Sequence, residues 1–139
     1  MKKFRFLEDV AIADICFEAY GKTLNEVFEN SALAFFDMTA NPKTIQAKIT
    51  KKITLKNKDE QDLLYDFLSE LIFLKDSEQL IFTNVKVSIK NNQLKATLGG
   101  DKINPEKQEL RNDIKAVTMH LFILEKTKTG YLARVVVDI

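Results

Sequence analysis

Three features of the chain predict an α+β fold built on a largely antiparallel sheet. Two helical periodicities each open on a capping motif, alternating apolar and polar runs surround them, and no regular strand-helix-strand repeat occurs. The first helix begins at Thr23-Leu24-Asn25-Glu26, where a threonine hydroxyl and a glutamate three residues on can satisfy free backbone N–H groups. Leu24, Val27, Phe28, Ser31 and Phe35 recur at helical spacing, with Leu33 and Phe36 widening the stripe, until Asn41-Pro42 stops it. Asn57-Lys58-Asp59-Glu60 opens the second helix, whose core face runs through Leu64, Phe67, Leu68, Leu71, Ile72 and Lys75 and ends near Asp76.

Between the helices, Ile45, Ala47, Ile49, Ile53 and Leu55 alternate with polar residues at the period of a half-buried strand, and Lys51 breaks the pattern as a bulge would. Val85, Val87 and Ile89 alternate up to Asn91-Asn92, and Leu94, Ala96 and Leu98 alternate back, which predicts a hairpin. Gly99-Gly100-Asp101 through Pro105 is expected to be the main irregular and most mobile segment. Two apolar runs, Ile114 to Leu124 and Tyr131 to Val137, are close enough in sequence to form a closing hairpin. Residues 1–139 therefore read as one domain, without repeat or linker.

Composition excludes several function classes. With 21 basic and 20 acidic residues the net charge is +1, so no global cationic footprint supports strong direct nucleic-acid binding. Charge is uneven nonetheless: residues 43–58 carry Lys43, Lys48, Lys51, Lys52, Lys56 and Lys58 with no acid, a pattern that fits either a local docking surface or lysines that deter edge-to-edge strand association. The lone Cys16 permits neither an internal disulfide nor a multi-cysteine zinc site, as a reducing cytoplasm allows. No apolar run approaches the roughly 18 residues of a membrane helix, and a cytoplasmic location is expected.

The candidate site lies at the chain ends. Val135-Val136-Val137-Asp138-Ile139 places an acid beside the α-carboxylate at the close of an apolar strand, and Asp14 sits in a second apolar strand pattern, Ala13-Asp14-Ile15-Cys16-Phe17. Antiparallel pairing of the two would gather these anions. Unit charges about 4 Å apart repel by roughly 4 kcal/mol at an effective dielectric near 20, so such a cluster calls for a cation. Lys115, in a run of apolar residues, is a candidate to orient a carboxylate or contact a phosphate, or else snorkels to water. His120, the single histidine, reads as a packed or strand-exposed residue, and Cys16, without a basic neighbour in sequence, as core or sheet packing. Gly99-Gly100-Asp101 fits neither a Walker loop nor a dinucleotide fingerprint.

Phe6-Leu7-Glu8-Asp9-Val10-Ala11-Ile12-Ala13-Asp14-Ile15, followed by Glu18-Ala19-Tyr20-Gly21-Lys22-Thr23-Leu24, resembles the opening of the archease family. Phe35-Phe36-Asp37-Met38, Leu63 to Leu74, Ile114 to His120 and Ala133 to Ile139 resemble that family's later blocks, in its order and over nearly the whole chain. Two departures stand out: the stretch Glu8 to Ala13 replaces a first-motif histidine, and Gln108 stands where many members carry histidine. The resemblance implies a cytoplasmic accessory protein, not itself catalytic, that promotes guanylylation of an RtcB-type RNA ligase in tRNA splicing and RNA repair, with GTP engaged only through the ligase. It also implies a metal site formed by Asp14, Asp138 and the carboxylate of Ile139, with Lys115 as a further functional residue. Oxygen-only ligands favour calcium, magnesium or manganese over zinc, and calcium is the expected ion. The alternatives are a chaperone-like modulator of tRNA cytosine methyltransferases, a free-standing metal-dependent hydrolase, and a chaperone-like binding module using apolar surface near Phe35 and Phe36, residues more simply read as helix core.

Overall fold

The computed structural model of the chain describes residues 2–7 and 14–139. Among the described residues the local signals become seven strands and two α-helices. Strands β1 (Phe4–Leu7) and β2 (Asp14–Gly21) are followed by helix α1 (Leu24–Thr39), β3 (Ile49–Lys56) and helix α2 (Glu60–Glu78). The hairpins β4 (Leu80–Lys90) with β5 (Gln93–Lys102) and β6 (Ala116–Thr127) with β7 (Gly130–Asp138) complete the chain. All pairings between these strands are antiparallel, in one sheet of order β1-β2-β7-β6 and another of order β3-β5-β4. The α+β expectation holds.

Both helices start where their caps place them. Thr23 Oγ1 accepts from Glu26 N at 3.2 Å, and the Glu26 carboxylate accepts from Lys22 N at 3.3 Å. Asp59 caps α2 by accepting from Asp62 N at 2.9 Å, and the helix runs past the predicted Asp76 to Glu78, where Gln79 turns left-handed with φ 58°. Helix α1 is more than amphipathic, because it packs against β2 and β7 on one side and β4 on the other and has no fully exposed position. It lies between the sheets. Phe35 and Phe36 are accordingly buried, which removes them as a chaperone surface. Leu63, Leu64, Phe67, Leu68 and Leu71 of α2 join the same core, with Phe28 and Phe67 ring centroids 6.0 Å apart.

Three local expectations change. Lys51 is not a bulge, since β3 pairs with β5 without a register shift; it occupies an inward position whose ammonium leaves the core to meet Glu78 at 2.9 Å. The irregularity lies in β4, between Phe82 and Asn84. Gly99, Gly100 and Asp101 belong to β5, not to a loop, because the backbone of β4 approaches too closely there for a side chain: a Cβ on Gly100 would stand 2.0 Å from the Ile81 carbonyl oxygen. Strand β1 carries no alternation strong enough to mark it in the sequence. The predicted hairpin turn is present, with Asn91 and Asn92 at φ 50° and 61°. In β6 the register shifts between Thr118 and Ile123, Leu121 adopts φ 58°, and Phe122 packs edge-on against Tyr65 of α2.

A charged cluster ties three strands together. Arg5 of β1 and Arg134 of β7 are both cross-strand partners of Glu18 on β2. Glu18 is 5% exposed and accepts from Arg5 Nε at 2.9 Å, from an Arg134 terminal guanidinium nitrogen at 2.8 Å and from the Tyr20 hydroxyl at 3.0 Å. Burial pushes the Glu18 carboxyl up, and the hydrogen bonds from Arg134, Arg5 and Tyr20 more than offset this, leaving it below its ordinary value. A depressed folded-state value contributes stability above the unfolded-state value of about 4.3, and that contribution is lost as pH falls through the folded one.

Glu18→Gln is expected to destabilise the protein by about 1–3 kcal/mol at neutral pH, less than a fully buried pair because both arginines are partly exposed. Denaturant midpoints across pH should converge for the two proteins below about pH 4; a constant gap would reject this role for the carboxylate. Gly100→Ala should cost about 1–3 kcal/mol or more through the backbone collision, read as a lowered midpoint.

Candidate metal centre

Strand β2 begins at Asp14 and β7 ends at Asp138, and the antiparallel register makes these two residues direct partners. Partners in such a ladder project to the same face with Cβ atoms about 4.5–5.5 Å apart. The predicted meeting of the chain ends therefore occurs, with both acids half-buried at one corner of the four-stranded sheet. Neither forms an ion pair with a described residue, and the nearest arginine along β7, Arg134, is committed to Glu18. Ile139 follows directly, its side chain packed on the main core, so its carboxylate is held at the same end.

Lys115 is placed differently from the expectation. It precedes β6 and is exposed, so it is not a cation inside an apolar strand. It still adjoins the acidic corner: its backbone N–H donates to the Asp138 carbonyl at 2.8 Å, and the next residue, Ala116, is the cross-strand partner of Asp138. That hydrogen bond fixes the end of β7 from its second side.

Along the same face of the sheet, the row next to Asp14 and Asp138 consists of Leu7, Cys16, Val136 and Thr118. Cys16 is buried, and burial pushes its thiol up, which fits packing and not nucleophilic chemistry. Thr118 Oγ1, in the row next to the acids, is buried and has no hydrogen-bond partner among the described residues. The Arg5–Glu18–Arg134 cluster forms the row beyond. Sequence reasoning passed over Glu18 and Arg134, although a charge inside each apolar strand was the signal that could have found them.

The paired Asp14 and Asp138 carboxylates are hard, anionic oxygen donors, the chemistry that suits an oxygen-seeking divalent cation. Among the described residues no three His, Cys, Asp or Glu side chains cluster for metal binding. Glu8 and Asp9 of the first motif lie outside the described residues. His120 is exposed on β6, and Asp101 lies on the other sheet, so neither joins this corner. Gln108, at the position where histidine is common, is buried and structural: its Nε2 donates to the Lys102 carbonyl and its Oε1 accepts from Asn104 N. Among the described residues no helix is long and apolar enough to cross a membrane.

The Archease protein family (MTH1598/TM1083) matches residues 4–139. A protein archease of Methanosarcina mazei is 39% identical over 143 residues, covering 99% of this chain and 97% of its own. The protein archease of Thermococcus kodakarensis is also 39% identical, over 144 residues and 100% of both chains. The solution structure of protein 1598 from Methanobacterium thermoautotrophicum has a TM-score of 0.82 at 35% identity, with 100% of each chain covered. A crystal structure from Thermotoga maritima, described as that of an archease and possible chaperone, shares the fold with a TM-score of 0.67 at 22% identity over 91% of each chain. The match runs from β1 through the acidic corner to the last residue, and this chain belongs to the archease family.

Proposed function

We propose that this protein is a metal-binding accessory factor that promotes guanylylation of an RtcB-type RNA ligase, and that its working part is the acidic corner of Asp14, Asp138 and the carboxylate of Ile139. The observation that carries the reading is the Asp14–Asp138 register pair in a chain of the archease family. Calcium is the first candidate cation, with magnesium and manganese next, because all three take carboxylate oxygens.

The residues divide the work by position. Asp14 and Asp138 present oxygens from two hydrogen-bonded strands, so their separation is set by the sheet and needs little reordering on binding. The Lys115 backbone holds the end of β7, while its exposed side chain is free to meet a phosphate or carboxylate of the partner. Glu18, held by Arg5 and Arg134, stiffens the three strands that carry the corner. A bound divalent cation would supply charge neutralisation and open positions for oxygen ligands from the docked ligase. In this role the chain performs no bond-making step of its own, and GTP is handled by the ligase.

A second reading, a chaperone-like action on partners such as a tRNA cytosine methyltransferase, draws support from the description of the Thermotoga maritima relative as a possible chaperone. Its apolar contacts would have to come from exposed residues such as Met119 and Leu121, which flank His120, and not from Phe35 or Phe36.

Calcium at about a hundred times its dissociation constant should stabilise the wild type by about 2.7 kcal/mol. Asp14→Ala and Asp138→Ala should abolish that response and the stimulation of ligase guanylylation while leaving the metal-free melting temperature nearly unchanged; an intact response in both variants defeats the proposal. Lys115→Ala should retain metal-dependent stabilisation and lower guanylylation, whereas full activity would make Lys115 a solvated surface residue. Phosphate release from GTP or RNA by the purified protein alone would point instead to a hydrolase.

A further inference from the structure

The sheet β3-β5-β4 has one face on the core and one in water, and the watery face is strongly one-signed. Lys52 and Lys56 of β3, Lys86 and Lys90 of β4 and Lys95 of β5 all point outward and are exposed. The register sets Lys52 and Lys86 on either side of Thr97, and Lys56 and Lys90 on either side of Gln93. Asp101, half-buried at the far end of β5, is the one acid at an outward register position among these strand residues, and none of the five lysines is in an ion pair with a described residue. The whole chain carries a net +1, so these five charges leave −4 on the remainder.

Dimensions make the concentration of charge significant. Lys95 stands one strand and two residues from each of the other four, about 8 Å away, inside the Debye length of about 10 Å at 0.1 M salt, and those four lie about 10–16 Å from one another. Each feels its neighbours' repulsion, and an extended polyanion relieves all five at once. Deterring edge-to-edge pairing does not explain the patch, because Lys95 stands on the central strand, where no edge exists. The β4 edge is in any case occupied by α1: Glu29 accepts from Val87 N at 2.7 Å and Asn25 from Ile89 N at 2.9 Å.

We propose that this face binds the phosphate backbone of a nucleic-acid chain, weakly and without sequence preference. Composition favours that partner over an acidic protein. Protein interfaces bury an apolar centre enriched in aromatics, Met and Arg and depleted of Lys. The outward side chains around the five lysines are threonine, serine, glutamine and asparagine, which are phosphate-contacting types, with no apolar or aromatic side chain among them. The absence of aromatics on this face removes base stacking, and with it most sequence discrimination. A neutral chain overall is compatible with this, since attraction depends on the local field.

The test is fluorescence anisotropy of a labelled oligouridylate and of an RNA duplex of equal length with the full-length protein, titrated between about 50 and 200 mM salt. The expected result is a dissociation constant in the 10⁻⁴–10⁻⁶ M range typical of non-specific binding, and for the single strand a log–log salt slope of about −3.5 if all five lysines engage. K52Q/K86Q/K95Q should reduce that slope to about −1.4 and weaken binding at least tenfold at low salt. K22Q/K107Q/K128Q, with the same change in net charge elsewhere, should behave as wild type. Absence of salt-dependent binding by the wild type overturns the proposal, as does equal weakening in the two triple variants. Displacement by polyglutamate as effective as by unlabelled oligouridylate would assign the face to acidic proteins instead. None of these readouts uses the ligase or the metal, so failure here leaves the acidic corner untouched.

Discussion

The pairing of β2 with β7 is the constraint on which the rest of the structure depends. It joins a strand near the start of the chain to the last strand, in an unbroken register from Asp14–Asp138 to Gly21–Tyr131. Side chains alternate across a strand, so a slip of one residue would turn Phe17, Ala19, Val135 and Val137 away from the core and bring the acids and Glu18 into it. Apolar burial on one face and the Arg5–Glu18–Arg134 cluster on the other enforce the same alignment. The proximity of Asp14 and Asp138 follows from that alignment.

Helix α1 gives the domain its layered form. Buried on both sides, it separates a four-stranded sheet from a three-stranded one and lets residues of both contribute to one core. Helical side chains also satisfy strand backbones at places where no neighbouring strand can. Glu29 and Asn25 serve β4, and Gln61 of α2 accepts from Leu124 N of β6 at 3.0 Å. Similar economy appears at the close approach of β4 and β5, where Gly100 admits the neighbouring backbone and leaves no room for a side chain.

The two sheets present unlike outer surfaces. On the four-stranded sheet, Cys16, Glu18 and Val136 are buried, and the half-buried acids lie at one corner. On the three-stranded sheet five outward lysines are exposed to water amid neutral polar side chains. A near-zero net charge therefore averages over opposed local fields, which is why composition alone is a poor guide to what such a chain attracts.

The sequence by itself determined what is local or periodic: both helices with their caps, the Asn91-Asn92 hairpin, the closing hairpin and, through ordered blocks along the chain, the archease resemblance. These features depend on residues a few positions apart, where turn chemistry and apolar spacing act directly. Tertiary structure decided what depends on distant partners. Lys51 looked like a defect because Glu78, its partner, is far along the chain; Gly99 and Gly100 looked like a loop because the facing backbone of β4 is invisible in sequence. The acids at the two ends were legible as a pair only as a possibility of topology, since strand order and register arise from three-dimensional burial. Glu18 and the lysine face became visible for the same reason: charges acquire meaning from cross-strand neighbours, and those neighbours are assigned by folding.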